Sequence, residues 1–285
     1  MWLLLLFIHA FALAGFNLIL RKSLLDKVDR FTLATIMQTG ITVPMLFLLV
    51  FQTPSFEGYR SIDFIILIFA TLLPIALHVA NVKALQYLET GVYSVIYNLR
   101  LLIATVLGIL FLSEQIVWLR ILGGILILIS IFIVHQKGGS SIKAMGIKWA
   151  VFAAFVISFL NITEKAMIEN VGVVDYLPVS VTSGTLIMWV TLLYRNRGSI
   201  DPRLFYKPEM LQLMAFRAIS AYAFILALAS GALVSVGNYI SGLSVILMVG
   251  IGAVFLKEKD YLFRKFLATG VAVIGLTIIL ISGLI

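Results

Sequence analysis

Two arginines stand where arginine is costly. Arg100 and Arg217 each lie roughly eight or nine residues inside a long apolar run, and an ionisable side chain at that depth costs about 2.5–3.5 kcal/mol to insert into a bilayer. A guanidinium that faces a wet cavity without a dedicated carboxylate is a ready site for a carboxylate or phosphate, gripped bidentately. Tyr93 and Tyr97 precede Arg100 at helical spacing and share its face, offering ring faces to the cation and hydroxyls to a ligand. His78 and Asn81 share a face after Pro74, a residue that can open a helix and free a carbonyl. Asn98, Asn238 and Tyr239 complete the candidate substrate-binding set. His9, in the middle of the first apolar run, is the candidate for carrying a coupled proton. Asn17 and Asn161 are assigned to helix packing, the commoner role of membrane asparagine.

All 13 acidic residues fall at the ends of the apolar runs or between them. Glu164 is the one carboxylate whose depth suits a pairing with either arginine. A packing role therefore stands beside the ligand role: Arg100 could cap helix carbonyls or pair with Glu164.

The chemistry that is missing narrows the function further. No HExxH, GxSxG, P-loop or strand-borne GxGxxG is present, which excludes an intramembrane enzyme of those types and an ATP-driven pump. Zero cysteines exclude thiol catalysis and thiolate metal sites. No metal and no cofactor is implied. The net charge of +8 is spread over short gaps, with no basic domain for nucleic acid.

The elements that must position these residues are membrane helices. Of the 285 residues 62% are apolar and only 12% charged, with a mean hydropathy of +1.12. A soluble domain carries about a quarter charged residues and cannot hide that much apolar surface. Runs of about 20 apolar residues predict ten spans: 1–20, 31–51, 63–82, 91–112, 117–135, 146–166, 176–194, 210–229, 232–255 and 262–285. Trp2-Leu3-Leu4-Leu5-Leu6 lacks a basic n-region, so it reads as a first span and not a signal peptide. Trp2, Trp118, Trp149 and Trp189 sit near span ends, as interfacial anchors do. Of the 21 Lys and Arg residues, 16 fall in the odd-numbered connections and 3 in the even ones, so the positive-inside rule predicts both termini outside.

An internal repeat is visible as well. A shift of 144 lays Asn17 on Asn161, Arg21 on Lys165, and Phe111-Leu112-Ser113-Glu114 on Phe255-Leu256-Lys257-Glu258. A shift of 140 lays Gly91 and Asn98 on Gly231 and Asn238. Five spans per repeat force the second half to enter from the opposite side, the inverted-repeat plan of many secondary transporters. Ten short spans in two such halves resemble the drug/metabolite transporter superfamily, in particular its EamA-type members. The resemblance rests on Glu114 and Glu258 closing the fourth helix of each half and on the glycine-containing fifth helices that follow (Gly123-Gly124; Gly270 and Gly275). The Asn/basic pairs of each first helix resemble the family too, and Glu114 and Glu258 are given a structural role.

The resemblance implies an all-α polytopic membrane protein of ten transmembrane helices in two inverted five-helix repeats. The halves are residues 1–136 and 146–285, joined by a linker loop at 137–145. Spans one to four and six to nine would enclose the cavity, leaving spans five and ten for the periphery or a homodimer contact. The expected setting is a bacterial inner membrane. Without a carboxylate in the first span, a cationic multidrug antiporter is disfavoured. The expected function is a secondary transporter or exchanger of a small metabolite bearing a negative group. Its main rival is an exporter of neutral or zwitterionic solutes such as amino acids, with both arginines structural. A lipid-carrier flippase and a non-transporting scaffold are further alternatives.

Overall fold

The computed structural model describes residues 1–25, 29–49, 53–112, 117–135, 143–195, 202–242, 244, 247–248 and 262–282. Its described elements are helical: α1 (Trp2–Leu25), α2 (Arg30–Leu49), α3 (Ser61–Tyr87), α4 (Thr90–Tyr97), α5 (Leu99–Leu112) and α6 (Trp118–His135). The second part holds α7 (Ala144–Asn170), α8 (Val173–Arg195), a 3-10 turn (Pro202–Tyr206), α9 (Pro208–Ala229), α10 (Val234–Gly242) and α11 (Leu262–Ser282).

The bundle is inverted relative to a soluble protein. Large apolar side chains point outward: Phe64, Ile65, Ile68 and Phe69 on α3, Phe152, Phe155 and Phe159 on α7, and Leu186 and Val190 on α8 are all exposed. Polar groups turn inward, among them Gln38, His78, Asn98, Ser158, Asn161 and Asn238, each at most 2% exposed. In water that outer surface would aggregate; against lipid tails it is at no disadvantage. The chain is a multi-pass integral membrane protein. Among the described residues six stretches are long and apolar enough to cross a membrane: Trp2–Leu24, Ser61–Tyr87, Thr90–Leu112, Ala144–Asn170, Val173–Arg195 and Pro208–Ala229. These six are the spans found among the described residues; much of the ninth span, with Glu258, lies outside them, as does Glu114.

Two sequence expectations are corrected. Pro74 does not open its helix: α3 runs through it unbroken, because its neighbours re-satisfy the backbone. The fourth span crosses as one stretch, Thr90–Leu112, with its α-helical pattern interrupted at Asn98, where Leu101 N–H bonds the Asn98 carbonyl at 2.9 Å in a 3-10 turn between α4 and α5. The sixth span does not stop at residue 166. As α7 it continues to Asn170, which draws Glu164 away from a helix end and into the bundle.

Packing crosses the two parts of the chain. The closest pairs are α3 with α7, α1 with α9, α2 with α8, and α6 with α11. Gly40 makes one crossing possible: a Cβ there would lie 2.7 Å from the Met214 Cα, so α2 and α9 touch almost backbone to backbone. At the turn after α9, Gly231 adopts φ +94° while Ala232 N–H reaches the Ala227 carbonyl at 3.0 Å, a left-handed cap that suits glycine.

Candidate functional site

The two buried arginines meet in the centre of the bundle. Arg100 is the second residue of α5, directly after the break at Asn98, so its side chain leaves the helix where the backbone turns. Arg217 stands mid-way along α9. Both line a small cavity of about 40 Å³ together with His9 of α1, Asn161 and Glu164 of α7, and Asn238 and Ser241 of α10. A second lobe of about 30 Å³ shares Leu160, Glu164, Arg217, Ala221 and Ile225 with the first and is closed by Gln38, Pro74, Tyr176 and Ser180. These volumes admit a water or two. They are an order of magnitude below ligand pockets of about 300–1,000 Å³, so the centre is shut in this conformation.

Arg100 is 3% exposed and its Nε has no hydrogen-bond partner. Its guanidinium carbon lies 4.6 Å from the Tyr97 ring centroid, and Tyr93 stacks on Tyr97 with centroids 5.2 Å apart. The Tyr93 hydroxyl donates to Asn81 Oδ1 at 2.8 Å, tying this column to α3. Tyr93→Phe would leave that buried carbonyl oxygen unmatched. It should cost about 1 kcal/mol, read as a lowered midpoint of thermal unfolding in detergent.

Arg217 is half-buried, with its guanidinium carbon 5.7 Å from the Phe16 ring centroid. Glu164 faces the same cavity, yet neither it nor either arginine takes part in the ion pairs described, Arg60–Asp63 and Lys165–Glu169. The cavity thus holds two guanidiniums and one carboxylate with none of them locked to another. Ile157, Leu160, Asn161 and Glu164, one face of α7 at helical spacing, all line it. That periodicity is the signal by which Glu164 could have been included from sequence.

The remaining candidates surround this centre. Asn238 lines the cavity and accepts from Asn161 Nδ2 at 3.0 Å, so Asn161, assigned to packing, also forms part of the wall. His9 donates from Nδ1 to the Ser220 carbonyl at 2.7 Å. His78 bonds Gln38 through Nε2 at 2.9 Å and so stands behind the second lobe. Asn98 is buried at the kink with its Nδ2 unbonded, outside the residues lining either lobe. Tyr239 hydrogen-bonds Thr105 between α10 and α5. Asn17 donates to the Leu13 carbonyl of its own helix at 2.9 Å. Among the described residues no three His, Asp or Glu side chains converge as a metal site requires.

A much larger cavity of about 740 Å³ opens at one end of the bundle, where α1, α3 and α8 finish and α2 begins. Its wall carries Asp29, Arg30, Lys83, Gln86 and Arg195 among apolar residues. Asp29 caps α2, accepting from Thr32 N–H at 2.8 Å and Thr32 Oγ1 at 2.9 Å. Partial burial pushes its carboxyl up, but those two donors and the nearby Arg195 outweigh that and hold it below the usual carboxylate range. The opposite end is tied shut across the two parts of the chain. Asn170 Nδ2 donates to the fully buried Asp63 at 2.9 Å, and Ser55 N–H donates to Asp175 at 2.9 Å. Thr42 and Thr185 share a hydrogen bond between the middle parts of α2 and α8.

Comparison with known proteins places this arrangement. No curated protein matches the sequence. A solved crystal structure of a protein superposes with a TM-score of 0.65 at 14% identity, covering 94% of this chain and 95% of its own; at that identity the likeness is one of fold. The model of the EamA-like transporter family matches residues 1–136. Over those residues, just under half of its length, the chain is similar to the EamA-like transporter family.

Proposed function

We propose that the protein is a secondary-active transporter or exchanger of a small metabolite bearing a negative group. In this reading Arg100 and Arg217 are the anion anchors and alternating access runs around the central cavity. The observation that carries it is the charge of that cavity: among the described residues it holds two guanidiniums, one from each half of the chain, and one carboxylate, Glu164, with no ion pair among the three. A buried excess of positive charge calls for an anion. Asn238 adds an amide to the wall. Tyr93, Tyr97, Asn81, Asn98, His78 and Tyr239 hold the anchors in place, and His9 is the candidate for proton coupling.

The proposal includes ten spans in two inverted halves, 1–136 and 146–285. Exchange of the halves turns the α3–α7 contact into α9–α1 and leaves the α2–α8 and α6–α11 contacts in place, which supports that arrangement. Arg21 donates to the Leu85 carbonyl as Lys165 does to that of Leu228 at 3.3 Å, so the repeat-related cations make related bonds. With the termini outside, the 740 Å³ cavity opens to the cytoplasm and the Asp63–Asn170 end is the closed outer gate.

The stacking of Arg100 on Tyr97 favours the rival reading, a carrier of neutral or zwitterionic solutes with structural arginines. Thermal unfolding of the purified protein against phosphates, carboxylates, amino acids and organic cations separates the two. A ligand at one hundred times its dissociation constant adds about 2.7 kcal/mol. A shift with anions that vanishes in folded Arg100→Gln supports the anion reading. A shift only with neutral or cationic compounds, unchanged in that variant, overturns it.

A further inference from the structure

The large end cavity has a charge pattern that helix termini and membrane topology do not account for. Three cations converge on it from three helices: Arg30 at the start of α2, Lys83 late in α3 and Arg195 at the end of α8. Two of them are pinned by aromatic rings rather than carboxylates. The Lys83 ammonium lies 4.1 Å from the Trp149 ring centroid, and the Arg195 guanidinium carbon 4.9 Å from that of Phe31. Such contacts hold a cation in position without neutralising it. Among the described residues the one carboxylate on the wall is Asp29, which accepts both Thr32 donors and lies near Arg195. Gln86 contributes an amide whose Oε1 is buried and unmatched, which leaves the amide free to turn its Nε2 donor to an anion. Basic residues that only set topology have no need to line a recess; these do, in a volume of about 740 Å³ that lies within the range of ligand pockets.

We infer that this vestibule is a second anion site, separate from the central cavity, in which Lys83, Arg195 and Arg30 bind a carboxylate or phosphate group and Gln86 orients it. It shares no lining residue with the central lobes and can be occupied while they are shut. An anion arriving at this end is held here before the centre opens. The same chemistry fits a free solute or the headgroup of an anionic lipid at the rim.

The probe is inorganic phosphate, titrated at low ionic strength into protein in a neutral detergent and followed by tryptophan fluorescence, with Trp149 under Lys83 as the reporter. The wild type should show a saturable change that is lost in Trp149→Phe. Lys83→Gln with Arg195→Gln should weaken binding at least tenfold. Asp29→Asn keeps a capping side chain but removes the one negative charge that the described residues place on the wall, so it should tighten binding several-fold, a gain that misfolding cannot imitate. Arg100→Gln should leave the titration as it was.

Absence of saturable binding overturns the site, as do full affinity in the Lys83/Arg195 double variant, weaker binding in Asp29→Asn, and loss of the signal in Arg100→Gln. That last result would show a single, central site and leave the proposed function standing. Nanodiscs of phosphatidylcholine with and without phosphatidylglycerol identify the occupant of a confirmed site. Weaker apparent phosphate affinity with phosphatidylglycerol in the wild type alone assigns it to a lipid headgroup, and unchanged affinity assigns it to a free anion.

Discussion

Arg217→Gln should lower anion transport on the order of a hundredfold in proteoliposomes while the protein still folds. Removing one member of a desolvated charge contact costs about 2–5 kcal/mol, and here the other member would be the substrate. Folding should survive because Arg217 is half-buried and its described contact is with the Phe16 ring at 5.7 Å; glutamine is shorter but keeps a donor. Arg100→Gln should have an effect of the same sign with a larger loss of stability, since Arg100 also stacks on Tyr97. Flux within threefold of wild type in both variants, at matched protein levels, would remove the arginines from the transport mechanism. Glu164→Gln is the informative companion: it takes from the cavity the one carboxylate that the described residues place there and should strengthen anion binding if the site is an anion site.

The second large effect is purely one of packing. Gly40→Leu should abolish the native fold, and even Gly40→Ala should cost about 1–3 kcal/mol through overpacking. Its Cβ would meet the Met214 Cα at 2.7 Å and the Met214 carbonyl oxygen at 2.8 Å. Neither atom can rotate away, so α2 and α9 must separate. Gly270→Ala is the control: nothing lies within 4 Å of a Cβ there, and alanine is the better helix former by about 1 kcal/mol. Midpoints of thermal unfolding and monodispersity in detergent check both. An unchanged midpoint for Gly40→Ala would mean that the helices do not cross this closely.

The residues of the central cavity were legible in sequence to the degree that each stood out alone. Arg100, Arg217 and Asn238 are polar within apolar runs, and the three come together on one cavity. Glu164 was set near a helix end because the apolar run fades at residue 166, while tertiary contacts extend α7 by another turn. The break at Asn98 left no mark, since neither glycine nor proline signals it. The end cavity was illegible for a different reason. Its cations come from three separate helix ends, and each by itself reads as an ordinary topological signal; only their convergence makes a recess.

The crossing of helices between the two parts of the chain has a consequence for how the protein is made. The largest cluster of buried apolar residues draws Leu13, Phe16, Met37 and Tyr93 from the first part and Ala150, Leu160, Met188 and Leu213 from the second. Helix α1 must wait for α9, and α3 for α7. When the ribosome has delivered the first 136 residues, they stand in the bilayer with their polar faces toward partners not yet synthesised. Neither half is a folding unit. Two fragments divided at the connection between α6 and α7 should each be degraded when expressed alone and should rescue one another when expressed together.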